Sequence, residues 1–168
     1  MQLITPKPEH KQNALAYRQD HLDYGELKMP GSNGFAKAES YENWLDSLGF
    51  IKTGRHGHLV PSTTYFAMVN NEIVGVVNIR HKLNDDLLKI GGHIGFSIRP
   101  SQRRKGYATQ MLRLTIEKCM EMGIEKALVT CNKDNIGSKM TIEKNGGMLE
   151  NEYIGEKGDV SLRFWINV

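Results

Sequence analysis

Apolar positions along the chain follow two periods, and the change from one to the other marks out the elements. From Ala108 the small or apolar positions recur at Met111, Leu112, Thr115, Ile116, Cys119 and Met120. That is the spacing of one face of an α-helix. Gly123 follows as a left-handed stop. Just upstream, the stretch from His93 to Ile98 is rich in β-branched and aromatic residues and is closed by Pro100, as expected of a strand. Further strands are predicted over Met1–Thr5, Thr64–Val69, Ile73–Arg80, Ala127–Cys131, Met148–Ile154 and Val160–Val168. Asn70-Asn71 reads as a tight hairpin turn, and Gly155 to Asp159 as the connection of a final hairpin.

Helix-compatible stretches run over Glu9–Tyr24, with Leu15 and Leu22 on a thin stripe, and over Tyr41–Leu48, entered at Ser40 and stopped by Gly49. Another leads from Asp134-Asn135 to Asn145-Gly146-Gly147. Gly25–Gly34, broken by Pro30, and Gly54–Pro61 read as loops, and Leu83–Leu88 as a polar connection. No repeat or linker interrupts the pattern, so residues 1–168 are read as one domain of mixed α/β class.

The length of 168 residues suffices for a proper core. A dispersed net charge of +3 without a basic, aromatic-interleaved stripe gives no reason to expect nucleic acid. No apolar run reaches membrane length and the amino terminus lacks a signal-peptide pattern, so a cytoplasmic protein is expected. Cys119 falls on the helix stripe and Cys131 in a strand, consistent with two buried thiols rather than a disulfide. No ligand spacing suggests a metal.

The turn between the His93–Ile98 strand and the helix after it carries Arg103, Arg104, Lys105 and Gly106. The first amides of a helix lack intrahelical partners and lie at the positive end of its dipole. A glycine there allows close approach of an anion, so the turn suits a phosphate or pyrophosphate, with the three cations adding charge-assisted bonds. A solvated basic turn that merely starts a helix has the same composition. Gly49 and Gly54 have the spacing of a Walker loop, but Arg55 and His56 replace its Lys and Ser/Thr.

The order Arg103-Arg104-Lys105-Gly106-Tyr107-Ala108 resembles the Arg/Gln-x-x-Gly-x-Gly/Ala signature of the GNAT family of N-acetyltransferases, with Ile98, Arg99 and Pro100 as its usual lead-in. Asn135, Ser138, Ile142, Lys144, Asn145, Gly146 and Gly147 resemble the family's downstream helix. The two blocks span His93 to Gly147. The resemblance implies the acyl-CoA N-acyltransferase fold, a mixed sheet whose central parallel strands splay apart between flanking helices, with acetyl-CoA as co-substrate. It implies that the main chain of Phe96, Ser97 and Ile98 pairs with the pantetheine arm. The amides of Arg104, Lys105, Gly106, Tyr107, Ala108 and Thr109 would hold the pyrophosphate, and Asn135 and Ser138 would face the distal pantetheine or thioester. It further implies direct attack of an amine on the thioester, with no metal.

Such a site needs an oxyanion donor, expected from a main-chain amide near Phe96 or Ser97, and groups that move protons. His93, near where relatives place a base, is the candidate base, with a histidine bonded within a Gly91-Gly92 bulge as the structural alternative. Relatives often carry an acidic tyrosine where this chain has Ile142; Ser138, Tyr153, Cys131 or water are the substitutes. Arg55, His56 and His58 fall in a loop that in relatives lines the acceptor side, and Asp20, Asp23, Glu26, Glu39, Glu42 and Asp46 could attract a cationic amine. Phe35, Tyr41 and Trp44 suit core or acceptor wall. A small-molecule primary amine is the expected partner of a monomer or homodimer; a protein or peptide acceptor, or a non-catalytic acyl-CoA-binding module, are the alternatives.

Overall fold

The computed structural model describes residues 1–55 and 59–168, so the expectations placed on His56 and His58 lie outside the described residues. Among the described residues seven strands form one sheet: β1 (Gln2–Ile4), β2 (Ser62–Val69), β3 (Glu72–Arg80), β4 (Ile94–Ile98), β5 (Lys126–Asn132), β6 (Met148–Ile154) and β7 (Val160–Asn167). Their order across the sheet is β1-β2-β3-β4-β5-β7-β6. Only β4 and β5 are parallel, and all other neighbours are antiparallel. Among the described residues five α-helices accompany them: α1 (Lys11–Asp23), α2 (Tyr41–Lys52), α3 (Asp85–Lys89), α4 (Tyr107–Glu121) and α5 (Ile136–Lys144).

The Asn70-Asn71 turn joins β2 and β3 with φ of 49° and 64° at its two asparagines. Two successive left-handed residues give the turn twist that suits an antiparallel hairpin, and asparagine tolerates that backbone. Gly123 ends α4 with φ of 74°, as its position after the stripe predicts.

Three local expectations change. Helix α2 does not stop at Gly49 but continues to Lys52 and is followed by the left-handed Gly54. The added turn completes the buried set Tyr41, Trp44 and Ile51, so burial of Ile51 outweighs the helix cost of one glycine. The Leu83–Leu88 connection contains α3, where the Asn84 side chain accepts from the Leu87 amide at 2.9 Å and Asp85 and Asp86 occupy the first turn. Five residues are too few to show a periodic stripe, so only capping marks this helix. Met120, expected on the buried stripe of α4, is exposed, while Met111, Leu112, Thr115 and Cys119 are buried.

Two cores sandwich the sheet. On one side Val77, Ile79, Ile94, Val129 and Phe164 pack with Met111, Leu112 and Cys119 of α4 and Ile142 of α5. On the other, Phe66, Ile73 and Val76 pack with Ala14 and Tyr17 of α1, Tyr41 and Trp44 of α2, and Met29 and Phe35 between those helices. Phe35, Tyr41 and Trp44 are therefore core. Both cysteines are free and buried, and burial pushes the Cys119 thiol up to about 12 and Cys131 up to about 11. Thiols that hard to ionise are poor nucleophiles. Among the described residues no helix is long and apolar enough to cross a membrane, and no three metal-ligating side chains gather.

Candidate active site

The site is built on the point where β4 and β5 part. Their only register pair is Ile94 with Val129, so β4 runs unpaired on that side from Gly95 onward. Its other edge is bound to β3, with Arg80 N–H donating to His93 O at 2.8 Å and Arg99 N–H to Val74 O at 2.9 Å. Main-chain groups alternate along a strand, so the odd residues of β4 direct theirs at β3 and the even residues at the gap. Phe96 therefore presents its free N–H and C=O to the gap, and Ile98 its N–H, while the Ile98 carbonyl accepts from Arg103 Nε. Ser97 presents neither group, which corrects the expectation that all three pair with a pantetheine arm. Phe96 N–H is the last amide before pairing resumes at Ile94.

The gap opens into a cleft of about 540 Å³ that reaches the turn before α4 and the start of α5. Arg104 and Gly106 both adopt left-handed backbone, φ 65° and 79°. The first helical bond there is Gln110 N–H to Gly106 O at 3.1 Å. The amides from Arg104 to Thr109 thus have no backbone acceptor among the described residues, and Gly106, Tyr107, Ala108 and Thr109 line the cleft. An array of free amides at a helix N-terminus is an anion cradle.

The three cations of this turn do different things. Arg104 lines the cleft, but Lys105 does not; its Nζ donates to Gln102 Oε1 at 2.7 Å. Arg103 lines the cleft with its guanidinium already engaged: Nη1 and Nη2 donate to the two carboxylate oxygens of Glu26 at 2.5 and 2.6 Å, and Nε to Ile98 O at 3.1 Å. The expectation that Arg103 and Lys105 grip the pyrophosphate is corrected accordingly, since Arg103 is committed to Glu26 and Ile98 and Lys105 stands outside the cleft.

On the facing side, Asn135 Oδ1 caps α5 by accepting from Ser138 N–H at 3.0 Å, and both residues line the cleft. The Ser138 hydroxyl has no protein partner among the described residues, which leaves it available to a ligand. Ile142, at the place of the relatives' tyrosine, is fully buried in the core. Neither Tyr153 nor Cys131, the other side-chain substitutes, lines the cleft.

The segment from Gly25 to Gly34 is a strap laid over β4. Ser97 Oγ donates to Pro30 O at 2.8 Å and lies 2.9 Å from the hydroxyl of fully buried Tyr17. Gly31 rests on Gly95 so closely that a Cβ on Gly31 would lie 2.3 Å from Gly95 O. Glu26, clamped by Arg103, also holds Nδ1 of buried His21 at 2.9 Å. Near the foot of β4, Asp20 accepts from Arg99 Nε at 2.8 Å, from Ser101 N–H at 3.1 Å and from the Ser101 hydroxyl at 2.6 Å. Sequence reasoning missed Tyr17, His21 and these pairings because their partners are distant in the chain.

Burial alone would raise the Asp20 pKa, but the bonds from Ser101 and Arg99 outweigh it and hold the carboxyl below its ordinary value. A depressed folded-state pKa contributes stability above the unfolded value of about 3.9, lost as pH falls through the folded value. Asp20→Asn is expected to cost about 2 kcal/mol at neutral pH. Denaturant titrations at pH 7 and in strong acid check this, because the wild-type advantage should shrink in acid; equal stability at pH 7 would show the cluster to be idle.

His93 does not line the cleft, and its role is corrected. Its N–H donates to Leu128 O at 2.7 Å, and its Nδ1 accepts from Leu128 N–H at 3.0 Å. With Nδ1 accepting, the neutral ring carries its proton on Nε2 and has no free lone pair with which to act as a base. Burial and the nearby Arg80 hold its pKa below the ordinary value. The ring instead stitches β4 to β5 where the splay begins. Three of the six carboxylates expected to attract a cationic amine are also engaged by cations: Asp20 by Arg99, Glu26 by Arg103, and Glu42 by Lys11 at 2.8 Å.

An unpaired strand edge, an amide cradle and a cleft connecting them fit the pantetheine and pyrophosphate of acetyl-CoA. These features define an acyl-CoA-dependent acetyltransferase. The family described as "Acetyltransferase (GNAT) domain" matches residues 2–148, and the chain belongs to that family. It is accordingly an acetyl-CoA-dependent N-acetyltransferase. No curated protein matches the chain by sequence.

Among solved structures, the chain is similar to the microcin C7 self-immunity acetyltransferase MccE in complex with acetyl-CoA and AMP, with a TM-score of 0.70, 16% identity and coverage of 99% of this chain and 91% of that one. RimL, a ribosomal L7/L12 alpha-N-protein acetyltransferase in complex with coenzyme A, is similar at TM-score 0.70 and 19% identity, covering 99% and 93%. A spermidine N-acetyltransferase, SpeG, from Vibrio cholerae is similar at TM-score 0.66 and 13% identity, covering 99% and 95%. At these identities the likeness is one of fold.

Proposed function

We propose that the protein transfers an acetyl group from acetyl-CoA to the primary amine of a small molecule, by direct attack in a ternary complex. The observation that supports a small acceptor is the strap: Gly31 lies against Gly95 and Pro30 is bonded to Ser97, so the helix-α1 side of β4 is covered up to the residue beside Phe96. An acceptor that must reach the end of the gap past such a cover is compact rather than an extended peptide. Phe96 N–H would face the carbonyl oxygen on which charge develops, and the cradle at Gly106 would fix the co-substrate at its far end. Holding amine and thioester in one cleft contributes several kcal/mol through alignment. As the new C–N bond forms the C–S bond breaks, the thiolate departs, and the amine proton passes to water. Asn135 and Ser138 line the cleft opposite β4, and the Ser138 hydroxyl is a hydrogen-bond donor for the departing sulfur.

The test is a titration of the purified protein with acetyl-CoA, followed in the same sample by thiol release against small amines and peptides. Binding with release for free amines ahead of peptides is expected. Peptides ahead of free amines would overturn the small acceptor, and binding without release for any amine would favour an acyl-CoA-binding module.

A further inference from the structure

On β3, Val76, Asn78 and Arg80 alternate onto one face and pair with Phe66, Thr64 and Ser62 of β2. Phe66 and Val76 belong to the core beneath α1 and α2. Arg80 therefore lies on the helix-α1 face of the sheet, beyond Asn78; it does not itself line the cleft but stands behind its Phe96 wall. It also lies against the splay: Nη1 would be 3.9 Å from a Cβ on Gly95, the residue before Phe96, and equally far from one on Gly91.

The chemistry of this arginine is unexplained by the fold. Nη1 donates to Gly91 O and Gly92 O at 3.1 and 2.9 Å, which anchors one corner of the guanidinium. Nε and Nη2 have no partner among the described residues, and neither is sealed from solvent. No carboxylate pairs with Arg80 among the described residues, although burial lowers its pKa and so works against its charge. A partly desolvated guanidinium is ordinarily compensated by an anion. Nε and Nη2 are the two parallel donors along one edge of the fork, the geometry that takes a carboxylate through two bonds. Asp20 and Glu26 lie at the other end of β4, held by Arg99 and Arg103, and so supply Arg80 with no counter-ion.

We propose that Arg80 binds a carboxylate of the acetyl acceptor, which makes the acceptor a small amine that is also an acid, such as an α-amino acid. This rests on the acetyltransferase reading above and assigns its substrate class. Arg80 is then a specificity-determining residue: it draws the acid to the mouth of the splay and turns the amine toward Phe96.

The experiment measures acetyl-CoA binding and thiol release with amino acids and β-alanine, each beside its carboxamide, together with O-phosphoethanolamine and spermidine. The amides have the more readily deprotonated amine, so a preference for the acid cannot arise from amine ionisation. For the best acceptor, kcat/KM is expected to be at least tenfold higher for the acid than for its amide. In Arg80→Gln that ratio should fall toward one through a raised KM, with acetyl-CoA affinity unchanged, and Arg80→Lys should restore part of it. Equal use of acid and amide, a preference for spermidine, release with the phosphate compound alone, no release with any of these acceptors, or an unchanged ratio in Arg80→Gln would overturn the assignment. Failure to bind acetyl-CoA would instead overturn the reading beneath it. Retained acetyl-CoA binding in both variants separates the effect from misfolding at the Gly91-Gly92 anchor.

Discussion

Replacing Phe96 by proline is expected to lower kcat by about 100-fold or more, while Phe96→Ala loses far less. The two variants remove the same aromatic packing on the α4 side of the sheet, where Phe96 is partly buried against the core. They differ in the main-chain N–H, which only proline lacks. The register places that N–H toward the gap between β4 and β5, not toward β3, so its loss breaks no ladder bond. Proline is tolerated where a strand's N–H faces away from a neighbour. The expected magnitude is that of removing one preorganised donor to a developing oxyanion, about 100- to 1000-fold. Single-turnover thiol release by the two variants, at saturating acetyl-CoA, makes the comparison. Equal rates would mean that the oxyanion donor lies elsewhere.

The second large effect is on co-substrate binding. Gly106→Val is expected to weaken acetyl-CoA by on the order of 100-fold, equivalent to about 3 kcal/mol. At φ of 79°, Gly106 has a backbone that side chains rarely adopt, yet a Cβ there would meet no protein atom within 4 Å. The protein therefore has room for the substitution, and its direct cost to the fold is about 1–2 kcal/mol of left-handed strain. The larger loss falls on the ligand, because the isopropyl group would enter the space faced by the free amides of the turn. Gly31 gives the contrasting case, since a Cβ there would collide with Gly95 O and displace the strap. Calorimetric binding of acetyl-CoA together with a melting curve separates the two costs; undiminished affinity in a folded Gly106→Val protein would place the pyrophosphate elsewhere.

Both experiments act on features that local sequence made legible. The strand ending at Ile98, the glycine turn and the amphipathic start of α4 are each specified by residues within a few positions of one another. Steric preference, unpaired helix amides and hydrophobic period act over that range. The paired asparagines of the β2–β3 turn are legible for the same reason. Helix α2 was legible at its start, where Ser40 caps the Asn43 amide at 3.1 Å, but not at its end. There burial of Ile51, a tertiary matter, overrides the propensity of Gly49.

What the amino-acid sequence determined by itself is thus the elements, the anion cradle and the family to which they belong. The tertiary structure decided which of the attractive side chains are free to act. Arg103 is engaged by Glu26 from 77 positions away, Asp20 by Arg99 across 79, and Ser97 by Tyr17 across 80. His93 loses its free lone pair to the Leu128 amide, 35 positions on. Arg80, unremarkable within a strand, lies beside the splay with no counter-ion among the described residues. A charge or lone pair has meaning only relative to its partner, and those partners meet only when the sheet and the strap bring distant segments within hydrogen-bond reach.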